Sequence, residues 1–317
     1  MTDEKVMNFN DLEQWLNERR VTEVECLVPD LTGVARGKIL PRAKFTEDRG
    51  MRLPEAIVAM GVTGEFHESG PYYDVIDPTD KDMQLRPDPS TVRIVPWATD
   101  PTAQVIHDCS DHDGKLVPFA PRSVLRRICE LFAAEGLRPI VAPELEFYLT
   151  EAFMHYVGGL QRYIPAAMVL VAPYVNSYRR LSRNTAAPVN IEWGFDNRTV
   201  GIRSPISEPQ ARRVENRVIG ADANPYVALA MTLACGYLGL KNQIKPRPQM
   251  KGDAYLSPYS LPRSLGEALD WLRKESDLHE VLGKEFITVY SEIKELEFDE
   301  FMKVISPWER EHLLLHV

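Results

Sequence analysis

Two stretches decide how this chain is read: Pro143-Glu144-Leu145-Glu146-Phe147, and the run Asn197-Arg198-Thr199-Val200-Gly201-Ile202-Arg203 that continues to Arg212-Arg213-Val214-Glu215-Asn216-Arg217. Residues two apart on a strand share a face, so Glu144 and Glu146 can present paired carboxylates to a divalent cation. Arginines crowded on nearby backbone can hold phosphate oxygens through their planar N–H forks. An acidic pair or an arginine cluster alone usually marks a solvated surface. Val141, Pro143 and Phe147 around the pair, and the order of the two stretches, favour a nucleotide site instead.

Working outward, Asn10-Asp11 caps a short helix through Leu16, and Val21–Pro29 and Val34–Leu40 read as strands around the turn Asp30-Leu31-Thr32-Gly33. Leu53–Met60 has helical spacing and leads into a region rich in Gly, Pro and Asp from Gly61 to Pro89. Strand-like Thr91–Pro96 and Ala103–Cys109 follow. Pro121 opens a helix that ends before Gly136, with Val124, Leu125, Ile128, Leu131 and Phe132 at helical spacing. Ile140–Leu149 is the strand bearing the glutamates. Phe153–Val171, Asn224–Leu240, Leu265–Lys274 and Phe286–Val304 read as helices, and Val189–Trp193 and Thr199–Arg203 as strands. The fold class is α+β.

Composition excludes several roles. The 317 residues are 44% hydrophobic and 26% charged, ordinary for a globular protein with a sizeable core. A net charge of -9 speaks against general nucleic-acid binding. The four cysteines are scattered without metal-ligand spacing, which points to reduced thiols. The N-terminus lacks an apolar signal core, and the apolar run near 166–173 is too short to span a membrane. A cytoplasmic protein with no membrane partner is expected.

Further motifs complete a pattern. Asn176-Ser177-Tyr178-Arg179-Arg180-Leu181, Ala187-Pro188-Val189, the arginine run and Ala223-Asn224-Pro225-Tyr226 resemble the C-terminal half of glutamine synthetases. Pro143–Phe147 resembles that family's first metal motif. Val28-Pro29-Asp30 to Gly33, with Arg36-Gly37-Lys38, resembles its N-terminal β-grasp domain. The resemblance implies a β-grasp domain over 1–103 and a catalytic α+β domain with a curved antiparallel sheet over 104–317. It implies ATP and Mg²⁺ or Mn²⁺ as cofactors, with Glu144, Glu146 and Glu215 as metal ligands. Arg180 resembles the arginine on the glutamate carboxylate. Arg198 and Arg217 resemble the catalytic pair at the transferred phosphoryl group, Arg217 also beside the substrate and Arg198 beside the nucleotide. Arg203 resembles a contact to nucleotide phosphates. A homo-oligomer, a dodecamer of two stacked rings with sites between subunits, is implied as well.

Departures bear on the substrate. Where the family has a glutamate before Ala-Pro, this chain has Ala186, and no Asp occurs between Gly50 and Tyr73 to match the family's second carboxylate at the ammonium site. A pocket without counter-charge holds a buried cation poorly. An amine larger than ammonia is therefore expected, as in the γ-glutamylpolyamine synthetase branch, to which Thr22–Asp30 and Ala35–Lys38 are similar. The reaction implied joins the γ-carboxylate of glutamate to a polyamine such as putrescine or spermidine, or to a monoamine, in amine catabolism. A true glutamine synthetase and an inactive regulatory or structural homologue are the alternatives. A family block between Glu151 and Ala152, supplying two more glutamate ligands, a histidine ligand and a Gly-rich loop, does not occur in these residues. Either the protein carries it in addition, which we expect, or a deletion has removed half of each metal site. Tyr255 lies near an adenylylated tyrosine of some members; no regulation is expected there.

Overall fold

The structure is a computed structural model that describes residues 8–67, 69–141, 153–183, 185–208 and 212–314, and the backbone of 146–148. Helix α1 (Phe9–Glu18) starts with a capping box in which Asn8 and Asp11 satisfy each other's backbone N–H groups, and it buries Leu12 and Leu16 one turn apart. Strand β1 (Glu23–Pro29) buries alternate residues Val24, Cys26 and Val28. It forms a hairpin with β2 (Ala35–Pro41), where a Cβ on Gly37 would lie 1.8 Å from the Cys26 carbonyl. Only glycine allows that approach.

Helix α2 (Arg42–Asp48) leads into β3 (Met51–Pro54). The expected helix over Leu53–Met60 is instead the end of β3 and a 3₁₀ turn at Glu55–Ala59. Pro54 accounts for this, because it forces Leu53 into extended backbone. β4 (Asp82–Pro87), which no expected element covered, arises inside the Gly-, Pro- and Asp-rich stretch; Met83 and Leu85 alternate into the core. β5 (Arg93–Ile94) and β6 (Thr102–Ser110) complete a sheet ordered β2-β1-β6-β4-β3, with β5 also on β6. The β1–β6 pair is parallel and the others antiparallel, the β-grasp arrangement. Position 103 falls within β6.

Helix α3 (Pro121–Ala134) buries Val124, Ile128 and Phe132 at a spacing of four. β7 (Glu146–Tyr148) is the described part of the expected strand Ile140–Leu149, and Glu144 lies outside the described residues. α4 (Phe153–Ala167) runs into a 3₁₀ turn, Met168–Leu170. β8 (Trp193–Phe195), β9 (Ile202–Ser204) and β10 (Arg213–Asn216) form a second, curled sheet ordered β7-β10-β9-β8. Two of its pairings are antiparallel, as expected throughout, but β8 and β9 are parallel.

α5 (Pro225–Lys241) is buried on nearly every side and crosses α4 at backbone contact. A Cβ on Gly159 would lie 2.2 Å from the Cys235 carbonyl, and one on Gly239 2.2 Å from the His155 carbonyl. α6 (Leu265–Lys274), α7 (Ser276–Leu282), α8 (Lys284–Met302) and α9 (Pro307–His312) pack around this pair or follow it. No described helix is long and apolar enough to cross a membrane.

Side chains fasten the two halves together. Asp30 is fully buried, accepting from Thr32 N, Thr32 Oγ1 and Val34 N on one oxygen and from Arg36 Nε at 2.7 Å on the other. Its carbonyl accepts from Asn224 Nδ2 at 2.9 Å, while Asn224 Oδ1 caps α5 through Tyr226 N. Tyr174 donates to the Thr32 carbonyl. On α8, fully buried Lys294 bonds Glu297 at 2.8 Å and lies 4.3 Å from the centre of the Tyr174 ring; Glu297 in turn accepts from Val62 N.

Candidate active site

The second sheet brings two of the expected acids and one expected arginine, Glu146, Glu215 and Arg203, into one row. In the β7–β10–β9 register, Glu215 lies directly opposite Glu146 on one side and Arg203 on the other. Directly opposed residues project to the same face. The sheet thus sets Glu146 and Glu215 at opposed register positions; the Glu146 side chain lies outside the described residues.

Glu215 is held by guanidinium groups. Arg203 Nη1 donates to its Oε2 at 2.7 Å, and Arg217 Nε lies 3.4 Å from Oε1. Arg203 also donates from Nη2 to Asp196 at 2.6 Å, and its bonds to Asp196 and Glu215 hold its pKa above the ordinary arginine value. Asp196 carried no signal of its own in the sequence; its left-handed backbone, φ 47°, turns the chain out of β8 and sets this contact.

Arg217 is a clasp. Nη1 donates to the Arg198 and Val200 carbonyls, and Nη2 to that of Ala186 at 2.9 Å. Three backbone oxygens fix the guanidinium without neutralising it, and burial depresses its pKa below the usual arginine value. Arg180, from the 3₁₀ turn Val175–Arg180, donates from Nη2 to the Val218 carbonyl at 2.5 Å. Burial lowers its pKa, and Arg217 nearby lowers it further despite Asp222. Its turn is braced by Ser177 Oγ donating to Asp222 at 2.6 Å, a residue that spacing did not reveal. Arg198 is exposed in the β8–β9 loop and makes no ion pair among the described residues.

These groups suit an anion. The Nε atoms of Arg180 and Arg203 are buried without a hydrogen-bond partner, and Arg180 and Arg217 lack a full counter-charge. A carboxylate or phosphate supplies both deficits. For a divalent ion, the hard oxygens of Glu215 and the register position of Glu146 fit in kind. Among the described residues no three His, Cys, Asp or Glu side chains gather as a metal centre.

Other candidates resolve as scaffold. His107 is fully buried, and burial lowers its pKa to about 4. Tyr255 turns its hydroxyl inward onto the Ala187 carbonyl. Arg212 stacks on Phe153, 5.4 Å from the ring centre. Ala186 adopts a left-handed conformation, φ 63°, beside the Ala187–Pro188 motif.

The family described as "Glutamine synthetase, catalytic domain" matches residues 149–313, just over half of the chain. A glutamine synthetase of Thermus thermophilus is 27% identical over 286 residues, covering 84% of this chain and 62% of the relative. A glutamate–isopropylamine ligase of a Pseudomonas species is 34% identical over 176 residues, covering 54% of this chain and 38% of the relative. The chain therefore spans under two thirds of the length of these relatives. Among solved structures, a GmaS/ADP complex superposes with a TM-score of 0.79 at 18% identity, covering 96% of this chain and 99% of the other, a likeness of fold. With a family match over just over half of its length, taking in β8, β9 and β10 of the second sheet, this chain belongs to the glutamine synthetase catalytic-domain family.

Proposed function

We propose that the protein is an ATP-dependent ligase joining the γ-carboxylate of glutamate to an amine larger than ammonia, and that the residues present form the anion-binding part of its site. One observation carries this reading: Arg203 and Arg217 both engage Glu215, Arg180 lies close enough to Arg217 to feel its charge, and the Nε atoms of Arg180 and Arg203 are left unpartnered, with Arg217 fastened to Ala186 where a carboxylate would favour ammonium. The similar glutamate–isopropylamine ligase supports an organic amine as nucleophile.

A carboxylate is a poor electrophile, so glutamate must first take the γ-phosphoryl group of ATP as an acyl phosphate. Arg180 holds the α-carboxylate end of glutamate. Arg217, fixed by backbone carbonyls, meets charge on the transferring phosphoryl oxygens without reorganising, and Arg198 closes from the exposed side. Arg203 contributes positive charge and an unpartnered Nε toward nucleotide phosphates. Glu215, with Glu144 and Glu146 as the resemblance implies, would hold Mg²⁺ or Mn²⁺, which when bound would neutralise phosphoryl charge. The neutral amine then attacks the acyl carbon and phosphate leaves. We further propose a β-grasp unit that runs through β6 to about Ser110, past the expected boundary at 103, a catalytic unit after it, assembly as a two-ring dodecamer and a cytoplasmic location, the last two supported by family membership.

The test is phosphate release from ATP and glutamate with putrescine, spermidine, methylamine, isopropylamine or ammonium. Release with an organic amine and little with ammonium is expected; release with ammonium alone refutes the proposal. A second reading, an inactive homologue, is favoured by the pairing of Glu215 with two arginines. It predicts nucleotide binding with no release in any arm.

A further inference from the structure

The outer face of the first sheet carries a separate group of arginines. A cavity of about 310 Å³ opens between the end of α2, β3 and β4, with Glu47, Asp48, Arg49, Arg52, Gln84 and Arg86 in its wall. Arg52 lies directly opposite Gln84 in the β3–β4 register, and Arg86 follows Gln84 by two residues. The three side chains therefore share the face away from buried Met51 and Leu85.

Arg49 is brought to the same opening by backbone geometry. It adopts φ 53° at the end of α2, followed by Gly50 at φ 137°. A Cβ at Gly50 would stand 2.2 Å from the Leu85 carbonyl, so this turn presses against β4 as only glycine permits. The Arg49 guanidinium lies 4.3 Å from the centre of the Phe9 ring, a stacking that leaves its N–H edges free to donate.

The charge in this cavity is unbalanced. Arg49, Arg52 and Arg86 make no ion pair among the described residues, and Arg86 donates to the neutral Gln84 Oε1 at 2.6 Å. Both rim acids are engaged elsewhere: Lys44 bonds Glu47 at 3.2 Å and Asp48 at 3.0 Å. Asp108, opposite Arg86 in the sheet, is taken by Arg122 at 2.7 Å and Arg126 at 2.6 Å. Cations outnumber carboxylates here, in a protein whose net charge is -9.

We propose that this cavity binds a small anion carrying two or more negative charges, a dicarboxylate or a diphosphate. Planar forks from three directions suit paired oxyanions, and the Gln84 amide adds a neutral donor. Within one chain the cavity lies on the first sheet, apart from the acid–arginine row of the second.

Calorimetric titration of the full chain with succinate, and separately with pyrophosphate, at matched ionic strength in chloride tests this. Saturable binding is expected, and the tighter arm identifies the oxyanion class. Arg52→Gln with Arg86→Gln should weaken it at least tenfold at an unchanged Tm, both side chains being exposed. Arg52→Lys with Arg86→Lys, which keeps the charge and loses the fork, should fall between. Absence of saturable binding in both arms overturns the proposal, as does equal affinity in the doubly substituted glutamine variant.

Discussion

Arg217 donates from Nη2 to the carbonyl oxygen of Ala186 at 2.9 Å, so a site arginine is fastened to the residue standing where the family resemblance expects a carboxylate. That contact joins phosphoryl chemistry to amine choice. Ala186→Glu restores an anion beside the clasp and should raise ammonium-dependent phosphate release relative to organic amines by about tenfold, or ~1.4 kcal/mol. An unchanged ratio would detach Ala186 from specificity.

Arg217→Lys keeps a positive charge but cannot reach the Ala186, Arg198 and Val200 carbonyls together. Loss of a fixed donor to developing charge typically costs about 10²–10³ in kcat. The expectation is a fall of that order with a smaller change in KM for glutamate, read in the phosphate-release assay. A fall confined to KM would assign Arg217 to ground-state binding.

Burial holds the His107 pKa at about 4, below the ordinary 6.5. A folded-state value below the unfolded one means the unfolded chain binds the proton first as pH drops. The stability from keeping His107 neutral is full above pH 6.5, declines between 6.5 and 4, and is spent below about 4. At pH 5 the loss is about 2 kcal/mol. Urea midpoints at pH 7 and pH 5 should show this, and His107→Phe, packed against Phe45, should remove most of the difference.

Alanine is the better helix former by about 1 kcal/mol, so Gly159→Ala could in principle stabilise α4. The structure predicts the opposite. The added methyl meets the Cys235 carbonyl at 2.2 Å and the Gly239 Cα at 2.6 Å, both of them backbone, which cannot swing aside. Overpacking of this kind costs about 1–3 kcal/mol or more and outweighs the propensity gain. A lowered Tm is expected for Gly159→Ala, against no change for Gly252→Ala, where the new methyl meets nothing within 4 Å.

Lys294→Met removes a buried cation whose partner, Glu297, remains buried. Breaking one side of such a pair costs about 3–5 kcal/mol, whereas replacing both partners by apolar groups is often nearly neutral. Chemical denaturation should therefore find Lys294→Met less stable than the double variant Lys294→Met, Glu297→Met. The reverse order would show that the bond Glu297 accepts from Val62 N outweighs the cost of its unpaired charge.

What was legible in the sequence was periodic or punctuated. Leu265–Lys274 has the bounds its amphipathic spacing predicts, and Pro121 begins its helix because proline costs nothing in a first turn. Asp30–Gly33 turned as its residues require, with Gly33 at φ 86°. Pro54 stopped a helix that apolar spacing alone favoured. β4 was hidden by the Gly and Pro residues before it, although Met83 and Leu85 alternate plainly. At the site, Glu215 and its arginines stood out through motif order, whereas Asp196 and Asp222 did not. Their roles come from a left-handed turn and a braced 3₁₀ segment, and neither leaves a pattern along the chain. The parallel pairing of β8 and β9 is likewise a matter of chain path.

Asn224 has one side-chain oxygen and one nitrogen, and each serves a different half of the molecule: the oxygen begins α5, the nitrogen grips Asp30. Rupture of the first half strips an anchor from the amide that starts the most deeply enclosed helix of the second. Heat or denaturant should consequently find no weak seam between the halves, and both should melt in a single shared transition.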